Sequence, residues 1–433
     1  MIQTDSAKCS ATLNTTTSRN ETPVAQPENY DATGNRERVA RLRERGVDVW
    51  GPERVYVAAD VPLENIEPGA SIYLATLSGP ELRIGRGSRI GISGHARVAG
   101  CQIGRGVELG AGTYEGGTFL DDAVVRGFAE IRPGTLLEEQ VDSAHTVAFK
   151  NTILTATVVT GSLINYCDLF MSGGTSRSDH SEVGSGVIHF NFDPRGDKYG
   201  TLVGDVRGVL LRSAPVFVGG QCGLAGPLHI DFGSVIAAGS LVRRDVGPAV
   251  VHFENFETQQ VADFDREIYL GLKRKFLTTA KLIGNLWALE AWYEQVRLPF
   301  ADDYQKPLYR AAQGQARAHI AERIKRLEKI IGKLERSIEK SAASADSLLQ
   351  KFHGEHRRLI ECRGRIVEIL SGGVPDSRAP AAFLGNYEQA RHAQSHIDAV
   401  RKLDASAAEA AAGWLQQIAE HPVKLLDEML RRA

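Results

Sequence analysis

Between residues 141 and 215 the chain gathers side chains that can move protons and hold anions: His145, Lys150, Asp168, His180, His189, Asn191, Asp197 and Lys198. A histidine with a pKa near neutrality suits general-base work, and a lysine suits a phosphate-bearing substrate. Metal chemistry is not expected here. Zinc ligands usually come close together on one face of an element, and no H-x-x-x-H or H-E-x-x-H pair falls in this span. Two histidines compete for the role of base. His189 lies two residues before Asn191, so on a strand both side chains face the same way. His180 ends the stretch MSGGTSRSDH. The plainer reading of either is a surface or rung-packing histidine. Cys167, between Tyr166 and Asp168, reads as an interior residue rather than a nucleophile.

The elements that must position these groups are announced by glycine. Of 44 glycines, 31 fall between residues 68 and 249, so the middle of the chain is one architecture and the last 180 residues another. Ile84-Gly85, Ile90-Gly91, Ile103-Gly104 and Leu109-Gly110 open units of six residues, with one extra residue between Ile90 and Ile103. The period returns without a break at Val218, Leu224, Ile230, Ile236 and Val242. Such hexads are the signature of a parallel β-helix, in which the aliphatic residue points into the coil. The small residue permits a tight corner where a Cβ would crowd the next rung. The span 141–215 departs from this spacing, and irregularity inside a repeat array marks the place for function.

Four regions follow. Residues 1–34 are Thr/Ser/Asn-rich with few large apolar side chains and read as a mobile arm. Residues 35–66 give a linker helix ending at Gly46 and an entry strand around Val55 to Val57; residues 67–250 form the β-helix; residues 251–433 form an α-helical domain. Within the last, residues 256–297 carry apolar side chains, among them Val261, Phe264 and Ile268, at helical spacing. Ile320, Ile324, Leu327, Ile331, Leu334 and Ile338 then run as a coiled-coil-like heptad seam, on one long helix or a hairpin of two. The tail serves oligomerisation or a protein partner, or else forms an intrasubunit bundle over the end of the β-helix.

Composition narrows the function. The 51 Lys+Arg against 53 Asp+Glu argue against a nucleic-acid or anionic-membrane binder, and no run of 18 apolar residues offers a membrane span. Cys9, Cys101, Cys167, Cys222 and Cys362 are scattered, with no C-x-x-C, and the start lacks a secretory pattern. A cytoplasmic protein is expected.

Whole words in the middle region carry a resemblance. VFVGGQCGLAGPLHIDFGSVIAAGSLVRRDV (216–246), GFAEIRPGTLLEE (127–139), VAFKNTIL (147–154), GSGVIHFNFDPRGDKYGTLVGD (184–205) and GVDVWGPERVYV (46–57) resemble the acetyltransferase domain of the bifunctional N-acetylglucosamine-1-phosphate uridyltransferase/glucosamine-1-phosphate acetyltransferase family. No counterpart of that family's nucleotidyltransferase loop is found, so pyrophosphorylase chemistry is not expected. The resemblance implies a left-handed β-helix, a homotrimer with clefts between subunits, and acetyl-CoA or another acyl-CoA as co-substrate. It implies that Arg132 and Lys150 bind the sugar phosphate or nucleotide sugar, with Lys198 beside them. It places Asn191, Phe192, Gly220 and Ala238 along the acyl-CoA.

The departures lie on the substrate side. Tyr166 falls where the family has its catalytic histidine, Leu169 replaces a sugar-contacting tyrosine, and Glu182 replaces a binding asparagine. A tyrosine with a pKa near 10 is a poor base for acylating an amine. His189 or His180 must then have moved in, or acyl transfer is lost. The expected function is acyl-CoA-dependent transfer to an amino group of a sugar phosphate, nucleotide sugar or related amine. The alternatives are a catalytically silent nucleotide-sugar or sugar-phosphate binder with a helical output, and a purely structural trimer.

Overall fold

A six-residue aliphatic period demands a coil whose every rung fills its own interior, and the chain builds one. The computed structural model describes residues 31–253, 265–342, 347–391 and 395–431. Residues 1–30 of the expected arm, and Val261 and Phe264 of the expected helical stretch, lie outside the described residues. Face one of the coil is an eleven-strand parallel ladder running from Asp48–Val49 to Val251–His252. Faces two and three form one sheet, because Val147–Leu154 and Ile164–Met171 each continue around the corner between them. Ile84, Ile90, Ile103, Leu109, Val218, Leu224, Ile230, Ile236 and Val242 are all fully buried, as the hexads require. Each contributes about 1.5–3 kcal/mol of apolar burial. Corners are tight: at Gly91 (φ +76°) an added Cβ would sit 2.2 Å from the carbonyl oxygen of Leu74.

The first helix, α1 (Ala32–Glu44), is capped by Asp31, which accepts from the Gly34 amide at 2.9 Å. It starts three residues inside the stretch assigned to the arm, and its Val39 and Leu42 seal the first rungs. Eight further helices follow among the described residues: α2 (Leu272–Trp292), α3 (Gln305–Ile331), α4 (Leu334–Ala342), α5 (Ser347–Glu361), α6 (Arg363–Ser371), α7 (Ala381–Arg391), α8 (His396–Arg401) and α9 (Ala405–Arg431). Ile268 lies ahead of α2, because Gly271 takes a left-handed conformation (φ +61°) that ends the preceding segment.

The helical domain covers a side of the β-helix. On face three the pairs Leu136-Leu137, Ile153-Leu154, Phe170-Met171 and Leu202-Val203 send the second residue into the coil. The first residue of each pair points outward and joins the core of the helical domain, with at most 1% of its surface exposed. The expected bundle over the end of the coil is therefore corrected to a bundle along face three. The heptad seam goes the same way: Leu327, Ile331 and Leu334 lie in this shared core, and the seam is broken between α3 and α4 at Gly332.

Helix α3 climbs the coil, because a helical turn of about 5.4 Å nearly matches a strand spacing of about 4.8 Å. Gln315 Nε2 donates to Gly116 O at 2.9 Å, His319 Nε2 lies 2.8 Å from Gly134 O, and Arg323 reaches Asp168. Side chains four apart thus climb one corner, Gln315 and His319 at the successive levels of Gly116 and Gly134 and Arg323 reaching past the level of Asn151 to Asp168. Helix α2 packs on α9 where Gly284 faces the backbone of Ala419; a Cβ there would fall 2.0 Å from the Ala419 oxygen. Gly284→Val is expected to destabilise the protein by about 1–3 kcal/mol through overpacking, read as a lowered urea midpoint. Among the described residues no helix is long and apolar enough to cross a membrane.

Candidate functional site

At the end of face two the ladder registers Ile131 with Phe149 and Phe149 with Tyr166. Alternation then sends the next residue of each strand outward, so Arg132, Lys150 and Cys167 form one external column. Arg132 Nη2 lies 3.6 Å from Cys167 Sγ, and Arg132 Nε lies 3.5 Å from Glu130. Burial pushes the Cys167 thiol up, while Arg132, Lys198 and Lys150 act against that rise. Three of the four expected substrate-binding residues therefore surround one thiol. Cys167 as an interior residue is corrected: the inward position belongs to Tyr166, and one residue of register separates them. Phe190 follows in the same column and Phe192 in the loop beyond it, and they are 47% and 66% exposed.

Asp168 turns the corner in a left-handed conformation (φ +63°) and is buried. Its Oδ1 accepts from Arg323 at 2.5 Å and from Asn151 at 3.1 Å, and its Oδ2 accepts from Asn191 at 2.6 Å. Burial opposes the carboxylate, but Arg323 and the two amides outweigh it and hold the Asp168 pKa below its ordinary value. Asn191 is thus buried and committed to Asp168. Arg323 and Asn151 were missed by sequence reasoning. The available signal was the set Gln315, His319 and Arg323, polar residues at steps of four on one face of an otherwise apolar-striped helix.

The two histidines part ways. His189 points into the coil, with Nδ1 2.6 Å from Cys167 O and Nε2 without a hydrogen-bond partner. Burial pushes its pKa down to about 4, so it is a weak acceptor of a proton at neutral pH. The Tyr166 ring also faces inward against Phe149 at 6.2 Å, and burial pushes its hydroxyl well up. His180 is partly exposed on the hairpin formed by Gly174–Ser176 and Asp179–His180. Its Nδ1 lies 2.8 Å from Arg177 O and its Nε2 3.6 Å from Glu182. The Nδ1 proton is directed at a carbonyl, which leaves Nε2, on the side of Glu182, as the ring's second position for a proton.

Within one chain the expected residues fall at different corners. Arg132, Lys150, Lys198 and Phe192 adjoin the corner between faces two and three, while His180 and Glu182 adjoin that between faces three and one. Gly220 and Ala238 sit at the remaining corner, where Gly219 lies so close to Ala238 that an added Cβ would be 2.5 Å from its nitrogen. Among the described residues no group of three or more His, Cys, Asp or Glu side chains could hold a metal ion.

With this geometry in place the curated relatives become informative. A bifunctional protein GlmU from Pelobacter propionicus is 33% identical over 218 residues, covering 49% of this chain and 42% of the relative. That of Trichlorobacter lovleyi is 31% identical over 212 residues (48% and 41%), and that of Nitratidesulfovibrio vulgaris 29% over 207 residues (48% and 41%). The chain is similar to bifunctional GlmU proteins. It spans less than half the length of these relatives. No family model matches the chain. The similarity agrees with the resemblance read from the words of the β-helix, and it extends over about half of this chain.

Proposed function

We propose that this chain is a hexapeptide-repeat acyltransferase that uses acetyl-CoA or another acyl-CoA to acylate an amino group of a sugar phosphate, nucleotide sugar or related amine. The carrying observation is the column of Arg132, Lys150 and Cys167 with Lys198 beside it, on a β-helix similar to bifunctional GlmU proteins. Two stacked cations suit a phosphate, with Arg132 offering a forked geometry. The acyl-CoA would supply a thioester. Exposed Phe190 and Phe192 and the small-residue corner at Gly220 and Ala238 fit its apolar arm and close backbone approach.

The separation of these groups over three corners supports a homotrimer in which a neighbouring copy completes each cleft. His180, oriented by the Arg177 carbonyl and flanked by Glu182, would take the amine proton through Nε2. The amine nitrogen bonds to the acyl carbon as the carbon–sulfur bond breaks, and the departing thiolate takes up a proton. A second reading, a silent sugar-phosphate binder, is favoured by the inward positions of His189 and Tyr166.

The test is release of free CoA thiol from acetyl-CoA with a panel of amino-sugar phosphates and nucleotide amino sugars. Arg132→Ala and Lys150→Ala should each lower kcat/KM about 10- to 100-fold, as expected for losing a charged hydrogen bond. His180→Asn should lower kcat about 100-fold or more while leaving sugar-phosphate binding intact. Binding with no thiol release above background would select the silent reading.

A further inference from the structure

On four rungs, face three offers the helical domain an apolar side chain: Leu136, Ile153, Phe170 and Leu202. In the rung after Leu202 the same outward position is His229. There the contact between coil and helices opens into a cavity of about 460 Å³ between the segment 205–207, Asp231, α2 and α9. A cavity of this size accommodates a small organic molecule.

The polar groups around it are arranged as a relay. Lys281 Nζ lies 2.7 Å from His229 Nδ1, and His229 Nε2 lies 3.3 Å from Asp231 Oδ1. An ammonium can only donate, so Nδ1 must accept and the ring proton sits on Nε2, directed at Asp231. His229 itself is 5% exposed, and its Nε2 makes no full hydrogen bond. The neighbouring charges are already used: Arg207 is held by Asp205, and Glu420 by Lys424 and Gln416. Lys281 is different. Burial pulls its pKa down, and among the described residues its ammonium makes one hydrogen bond, to an imidazole, and no ion pair.

A partly buried ammonium with two spare donors calls for an anionic oxygen. A carboxylate beside it, held only by a long imidazole contact, calls for an ammonium or hydroxyl. We propose that this cavity is a second ligand site, for a small anion that also carries an amine or hydroxyl group. The anionic group would rest on Lys281 and the donor group on Asp231, with His229 fixing both. Amino acids and amino-sugar phosphates share this chemistry. None of the residues lining the cavity is among those assigned to acyl transfer, and the proposal does not depend on that reading.

Calorimetric titration of the full chain with L-serine, glucosamine 6-phosphate and inorganic phosphate tests it. Saturable binding of serine or of the sugar phosphate identifies the source. Binding should weaken at least about tenfold in Lys281→Met, and equally in Val423→Trp, which fills the cavity from α9 without touching the relay. It should survive Arg132→Ala, which removes a cation of the acyl-transfer corner. Absence of saturable binding by all three probes, binding by phosphate alone, or binding that persists in both cavity variants overturns the proposal. Binding lost only in Arg132→Ala would assign the ligand to the other site and also overturns it.

Discussion

Arg323→Met should lower the stability of the whole chain by about 3–5 kcal/mol, because it leaves Asp168 buried without its cation. Arg323 is 1% and Asp168 3% exposed, so water cannot take over the lost bond. The double variant Arg323→Met/Asp168→Asn should recover much of this loss, since the amide oxygen still accepts from one of Asn151 and Asn191, its NH2 can donate to the other once that amide flips, and no charge is stranded. Urea midpoints of the two variants against the parent decide the matter; equal midpoints for single and double variants would refute it. The pH dependence has a definite sign. The folded-state pKa of Asp168 lies below its unfolded value of about 4, so the pair stabilises at pH above that value. The contribution is lost as pH falls through the folded pKa, and the parent should converge there on Asp168→Asn. In Arg323→Met the cation is gone while burial still opposes the Asp168 carboxylate, so the deficit should shrink on acidification.

The same pair shows where the sequence was transparent and where it was opaque. Hexads are legible because an inward residue answers to a local rule: Val218, Leu224, Ile230, Ile236 and Val242 repeat every six positions and all are buried. Cys167 and Tyr166 were harder, since in a strand a shift of one residue exchanges inside and outside. The register is settled by the neighbouring rung, where Phe149 fills the interior and Lys150 cannot. His189 looked like a base because it shares a strand side with Asn191. That side turned out to be the interior, where burial disfavours the protonated ring. Arg323 was invisible in a different way. It lies 155 residues from Asp168, and no local pattern couples a helix in the tail to a corner of the coil. Its spacing from Gln315 and His319 acquires meaning only when the pitch of α3 is laid along the rungs.

A chain cut after residue 253 should fail as a soluble protein, although the hexads alone specify its fold. Its face three would present Leu136, Ile153, Phe170 and Leu202 to water as a continuous apolar ridge, now buried in the core shared with the helical domain. Exposing the four side chains forfeits roughly 6–12 kcal/mol of burial, comparable with the net stability of a whole domain. The truncated chain would also strand Asp168, Glu138 and Glu139, whose partners Arg323, Tyr293 and Arg297 lie in the removed part. The expected result is inclusion bodies, or soluble aggregates by light scattering. Introducing Leu136→Thr, Ile153→Thr, Phe170→Thr and Leu202→Thr together with Glu138→Gln, Glu139→Gln and Asp168→Asn should restore a soluble β-rich protein by circular dichroism. Threonine is β-branched and suits a strand while making the outer face of the ladder polar. If the truncated parent were soluble and folded without these changes, the helical domain would be an attachment to a self-sufficient coil. If only the redesigned coil folds, the domain is half of a common core. The outward apolar residue in each of the four pairs on face three would then be the sequence's own record of that dependence.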